Sequence, residues 1–130
     1  SLASKARRMF FANAGCVGDD ETTWDQMMVR RISELVDELP AGAKVMLLAF
    51  DYGHDETGKK REDYTAFHIP NEYAMKVAKS KPERFEWIAS IHPYRPDAVE
   101  ALENAKAGGA RAVRWLPPSF SRLAKAVNFF

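Results

Sequence analysis

The chain has 130 residues, with 19 basic against 18 acidic side chains and a single cysteine. That length suits one domain with a real core, and the balanced charge excludes a broad basic face for nucleic acid. One cysteine excludes an internal disulfide framework and fits a reducing, cytoplasmic setting, and no apolar run is long enough to span a bilayer.

Lys5, Arg7 and Arg8 ahead of Met9-Phe10-Phe11 faintly imitate a signal peptide, but the apolar part is short and breaks at Asn13. Residues 4–12 therefore read as a short helix with basic residues on its outer side. Thr23, with Gln26 three residues on, is placed to cap a long helix. Met28, Ile32, Leu35, Val36 and Leu39 line one face of it, and Pro40 and Gly42 end it. Val45–Phe50 is six apolar residues in a row, which predicts a strand buried on both faces. Asp51–Phe67 has no sustained period and reads as a long loop, a place where function often resides. Asn71 then caps a helix that runs to Pro82.

Phe85–Ile91 predicts a second buried strand, ended by His92-Pro93. Asp97 and Glu100 have capping-box spacing for the next helix, whose apolar positions are Ala98, Val99, Leu102 and Ala105. Gly108 and Gly109 stop it, since glycine takes the left-handed conformation without a Cβ clash. Ala110–Leu116 predicts a third buried strand, closed by Pro117 and Pro118. The recurring unit is helix, turn, buried strand. It predicts an α/β fold with three parallel strands, either an open layer or an arc of a barrel. Phe120, Leu123, Ala124, Val127 and Phe130 then form a helical apolar stripe that must cover the sheet or a partner.

Ligands of parallel α/β folds sit at the carboxyl ends of the strands. That rule selects Asp51, His92 and Arg114 as catalytic candidates. His54, His68, Tyr94 and Arg95 are substrate-binding candidates on the same rim. Such a set suits metal binding or polarisation of a carbonyl. The plainer readings stand beside it: His92-Pro93 as a strand end, Asp51 as a loop cap, and Arg114 as an ion-pair partner of Asp51 or Glu86. Asp51–Asp55 lacks the glycine and the final glutamate of a calcium loop. There is no dinucleotide or Walker loop, no Cys-x-x-Cys, no His-Glu-x-x-His and no Gly-x-Ser-x-Gly.

The segments "LLAFD" at Leu47–Asp51, "TAFHIPNEY" at Thr65–Tyr73 and "ASIHPYRPDAVEALENAKAGGARAVRWLPP" at Ala89–Pro118 resemble a group of predicted metal-dependent hydrolases. These are TIM-barrel proteins of the amidohydrolase superfamily. The resemblance implies a hydrolytic (β/α)8 barrel that uses a divalent metal such as zinc to activate water. It also implies a chain that begins after the first strand and stops after the fourth. The metal ligands of that family, a His-x-His on the first strand, later histidines and a final aspartate, have no counterpart here. Arg114 stands where relatives carry lysine, and a guanidinium does not ligate a metal. The expectation is therefore a single domain over residues 1–130, a partial barrel to residue 118 followed by an apolar helix, with no metal of its own. Its open sheet edge and the Phe120–Phe130 tail point to a homodimer, with a small-molecule ligand and neither nucleic acid nor membrane as partner. Two alternatives accompany it: a hydrolase of a small ester, amide or carboxylate whose site is completed by dimerisation, and a truncated piece of a full hydrolase.

Overall fold

The computed structural model describes residues 9–10, 13, 20–65 and 68–115. Most of the expected first helix, the residues around Cys16, and the Phe120–Phe130 stripe lie outside the described residues. The chain divides into two compact units, Ser1–Ala43 and Lys44–Phe130. Among the described residues no helix is long and apolar enough to cross a membrane.

The first unit contains helix α1, Trp24–Asp37. Its expected capping box does not form. The Thr23 hydroxyl donates to the Asp20 carbonyl at 3.0 Å instead, while the Asp20 carboxylate accepts the Thr22 backbone N–H and hydroxyl. A short 3-10 turn, Glu21–Thr23, therefore leads into the helix. Of the apolar stripe, Val36 is buried, whereas Met28, Leu35 and Leu39 are exposed.

The second unit is α/β. Strands β1 (Val45–Leu48), β4 (Phe85–Ser90) and β5 (Ala112–Arg114) form one parallel sheet in the order β1-β4-β5. Helices α2 (Asn71–Ser80) and α3 (Ala98–Ala107) make the two crossovers that parallel neighbours require. Side chains alternate along β4, so Phe85, Trp87 and Ala89 share one face, and all three are buried. Helix α2 packs on β4, with Ala74 and Ala78 buried on its inner side. Small residues there let the helix approach closely, and burying Trp87 and Phe85 contributes about 2–3 kcal/mol each.

The opposite face differs from expectation. The register pairs Met46 with Glu86 and Leu48 with Ile88, and Met46 and Leu48 are 41% and 39% exposed. Among the described residues of this unit, strand β1 is thus covered on one face only, because α2 and α3 lie on the Trp87 side. The third strand is also shorter and more open than expected: Ala112 and Val113 are exposed. Helix α3 buries Ala105, while Val99 and Leu102 face outward.

The end of α3 does follow expectation. Gly109 has φ +84°, its N–H reaches the Lys106 carbonyl, and the Ala110 N–H reaches the Ala105 carbonyl. This is the paired arrangement of a left-handed glycine stop. At the other end the Asp97–Glu100 capping box is absent, since the Asp97 carboxylate is held by both Nε and Nη2 of Arg95 at 2.7 Å. Asn71 is not a cap either; Pro70 precedes the helix and the Asn71 amide is used elsewhere. The supposed loop Asp51–Phe67 contains an antiparallel hairpin, β2 (Gly53–His54) with β3 (Lys60–Arg61), and a 3-10 turn at Glu62–Tyr64.

Candidate functional site

The carboxyl ends of β1 and β4 are tied together by Asp51. One carboxylate oxygen, Oδ1, accepts the Tyr52 backbone N–H at 2.9 Å. The other, Oδ2, accepts the His92 backbone N–H at 2.8 Å and Nη1 of Arg95 at 3.1 Å. Three donors converge on a side chain that is only 9% exposed. A carboxylate so engaged has little remaining capacity to take a proton from a substrate, so its visible role is to brace two strand ends. Arg95 carries the brace onward, sharing its fork between Asp51 and Asp97. Both partners favour its charged form and raise its pKa, Asp97 most strongly.

A second tie joins helix and sheet. The Asn71 amide donates to the Ser90 carbonyl at 3.0 Å and accepts the Ser90 N–H at 2.9 Å. The first turn of α2 is thereby joined to the last residue of β4. The sequence marks Asn71 only as a helix start, and no local pattern reveals a partner nineteen residues away.

His92 follows β4 and is 3% exposed. Its Nδ1 accepts the Tyr94 backbone N–H at 3.2 Å. A backbone N–H can only donate, so the neutral ring carries its proton on Nε2. That Nε2 is buried and has no hydrogen-bond partner. Burial lowers the His92 pKa, and nearby His54 lowers it further against the opposing pull of Asp51. His92 is therefore a neutral donor whose single N–H is unpaired.

His54, on β2, is also buried, and its ring centre lies 5.3 Å from that of His92. Its Nδ1 lies 3.1 Å from the Tyr52 carbonyl, which can only accept. In the neutral ring Nδ1 therefore holds the proton and Nε2 the lone pair. The hairpin thus places an acceptor ring beside a donor ring. Tyr94 and Trp115 meet the His92 ring edge-on, at 5.5 and 6.1 Å, and each is about half exposed.

Arg114, at the end of β5, forms neither of the ion pairs expected of it. Glu86 is occupied by Lys44 and Arg111. Instead Nη2 of Arg114 donates to the Ala49 carbonyl at 3.0 Å, and the guanidinium lies 3.8 Å from the Phe50 ring centre. Its Nε is buried without a partner. Phe50 pairs with Ile69 through two backbone hydrogen bonds, which brings the chain at His68 alongside the end of β1. His68 stacks on Tyr52 at 3.9 Å, and the Lys60 ammonium lies 4.0 Å from the Tyr52 ring centre. Burial is the main cause that lowers the His68 pKa, with Asp51 close enough to oppose it.

The structure thus gathers Asp51, His54, His92, Tyr94 and Arg95 into one cluster, with Trp115 added; Arg114 joins the same strand ends through Ala49 and Phe50. His68 belongs to the stack on Tyr52. The tip of the hairpin also bears on this region. Gly58 has φ +84°, and a Cβ there would stand 2.7 Å from the Tyr94 carbonyl oxygen.

These residues do not fit the divalent ion that the resemblance implies. Among the described residues no three His, Cys, Asp or Glu side chains converge as ligands, and the oxygens of Asp51 and Nδ1 of His92 already face protein partners. Compared with known protein families, curated proteins and solved structures, the chain matches none.

Proposed function

We propose that this chain is a small-molecule-binding half-barrel, related in design to metal-dependent hydrolases but not itself catalytic, with its ligand at the carboxyl ends of β1, β4 and β5. One observation carries the reading: the buried, unpaired Nε2–H of His92. An unmet buried donor costs about 1–3 kcal/mol. A ligand carboxylate or carbonyl that accepts this hydrogen bond removes the cost, and the exposed rings of Tyr94 and Trp115 are the groups that would turn aside to admit it. The engagement of Asp51 by three donors argues against its use as a general base.

The dimer belongs to the same proposal. Among the described residues β1 and β5 each pair with β4 alone, so each leaves one edge without a strand partner. Solution mass tests it, and a monomer at all concentrations would overturn it.

The binding role is tested by imidazole ¹⁵N–¹H spectra recorded while acetate, benzoate or a small amide is added. The His92 Nε2–H signal is expected to shift saturably with at least one probe, and the response should vanish in His92→Phe, which keeps a ring without the donor. If none of the probes moves that signal, the reading fails. One observation favours a second reading, a hydrolase of a small ester or amide: the His54 ring, with its lone pair on Nε2, has its centre 5.3 Å from that of the His92 ring, so a base and a carbonyl-polarising donor share one site. Ester or amide turnover lost in both His54→Gln and His92→Phe would support it.

A further inference from the structure

Among the described residues only two buried side-chain nitrogens or oxygens lack a hydrogen-bond partner, Nε2 of His92 and Nε of Arg114. Both are donors, and both stand at the carboxyl end of the parallel sheet. Arg114 starts from β5, in register with Ser90 of β4, yet its guanidinium reaches Ala49 and Phe50 at the end of β1. Since β4 lies between β5 and β1, the side chain crosses the sheet over Ser90, a small buried residue that leaves it room. His92 comes two residues after Ser90, at most about 7 Å further along the chain. The two unmet donors therefore belong to neighbouring positions of one strand end.

The charge balance narrows what could serve both. The His92 ring is neutral, whereas Arg114 is a permanent cation. Among the described residues no carboxylate lies within ion-pair distance of it: Asp51 is committed to Arg95 and to two backbone N–H groups, and Glu86 to Lys44 and Arg111. Arg114 has only one carbonyl and one aromatic face, and neither carries a full negative charge. A neutral carbonyl ligand would accept the His92 hydrogen bond and leave the guanidinium without a counter-ion. A carboxylate supplies the missing charge, with one oxygen for the His92 N–H and one for Arg114. A second carboxylate on the same ligand would find no cation, because Arg95 is already shared between Asp51 and Asp97. The other surroundings are the rings of Phe50, Tyr94 and Trp115, which suit an apolar or aromatic body.

Resting on the strand-end binding role proposed above, we infer that the ligand is an apolar or aromatic monocarboxylate, and that Arg114 selects it over its neutral analogues.

The test compares benzoate with its neutral isostere benzamide at neutral pH, followed by the His92 Nε2–H imidazole signal of the full chain. Benzoate is expected to bind at least tenfold more tightly than benzamide. Arg114→Met, which keeps a stem over Phe50 without the charge, should weaken benzoate at least tenfold and leave benzamide within twofold. Arg114→Lys, which restores the charge, should recover part of the lost benzoate affinity and none for benzamide. Benzamide binding as tightly as benzoate overturns the role of Arg114 while the His92 site stands, and this comparison needs no variant to fold. Benzoate binding unaffected in a folded Arg114→Met overturns it equally. A His92 signal that responds to neither probe overturns both this inference and the binding role beneath it.

Discussion

Replacing Asp51 separates a brace from a base. Asp51→Ala removes the acceptor of two backbone N–H groups and of one guanidinium N–H. All three bonds end on a charged carboxylate and are worth about 1.5 kcal/mol each at the lower end, so together the loss is about 4–5 kcal/mol. Arg95 keeps Asp97 as a counter-ion, which limits the cost of stranding its charge. Asp51→Asn is more informative. Its one oxygen can still serve the His92 N–H and Arg95, but its NH₂ then faces the Tyr52 N–H, so the loss should be about 1–2 kcal/mol. Urea unfolding with an unchanged slope reads both values. For a slope of about 1.5 kcal/mol/M, the midpoint should fall by about 3 M for alanine and about 1 M for asparagine. Alanine costing under 1 kcal/mol, or as little as asparagine, would refute the reasoning. So would any hydrolase turnover that disappears in Asp51→Asn while stability is retained, since that is the behaviour of a base.

Stability should also fall on acidification below about pH 6.5. Burial holds the His92 and His68 pKa values below the ordinary 6.5, so the unfolded chain takes up protons that the folded chain refuses. Above that pH both rings are neutral in either state and the effect is absent; His92→Gln should flatten the slope between pH 7 and 5, measured by denaturant midpoint. Gly58→Ala should cost more than 2 kcal/mol, because it combines a left-handed backbone with a 2.7 Å approach to the Tyr94 oxygen. Gly109→Ala, with the same φ and nothing within 4 Å, should cost only about 1 kcal/mol, and thermal melts would rank the two. Asn71→Ala should lose about 2 kcal/mol by severing both bonds to Ser90. Asn71→Asp should lose at least as much, because it sets a carboxylate against the Ser90 carbonyl.

The central strand–helix–strand unit was readable from the sequence because its apolar runs and glycine stop are local signals. Burial was not. Six consecutive apolar residues at Val45–Phe50 look the same whether one face or two is covered, and the exposed Met46 and Leu48 show which holds. Caps were misread where a closer partner competes: Arg95 sits two residues before Asp97 and captures its carboxylate. The hairpin escaped because two-residue strands are too short to show alternation. Its turn chemistry was present all the same, since the Asp55 carboxylate accepts the Thr57 and Lys59 N–H groups ahead of β3. Residue type and strand-end position were enough to nominate Asp51, His92 and Arg114. Their roles depend on long-range partners, Asp51 with His92 and Arg114 with Ala49, which no spacing rule supplies.

Short hairpin tips are the usual choice for attaching a tag or fluorophore, because they normally project into open water. Here the tip at Gly58 rests on the backbone of the segment that carries Tyr94 and Arg95. A reporter grafted into residues 55–59 would press on that segment before any ligand arrived, and would register its own intrusion as if it were an occupant.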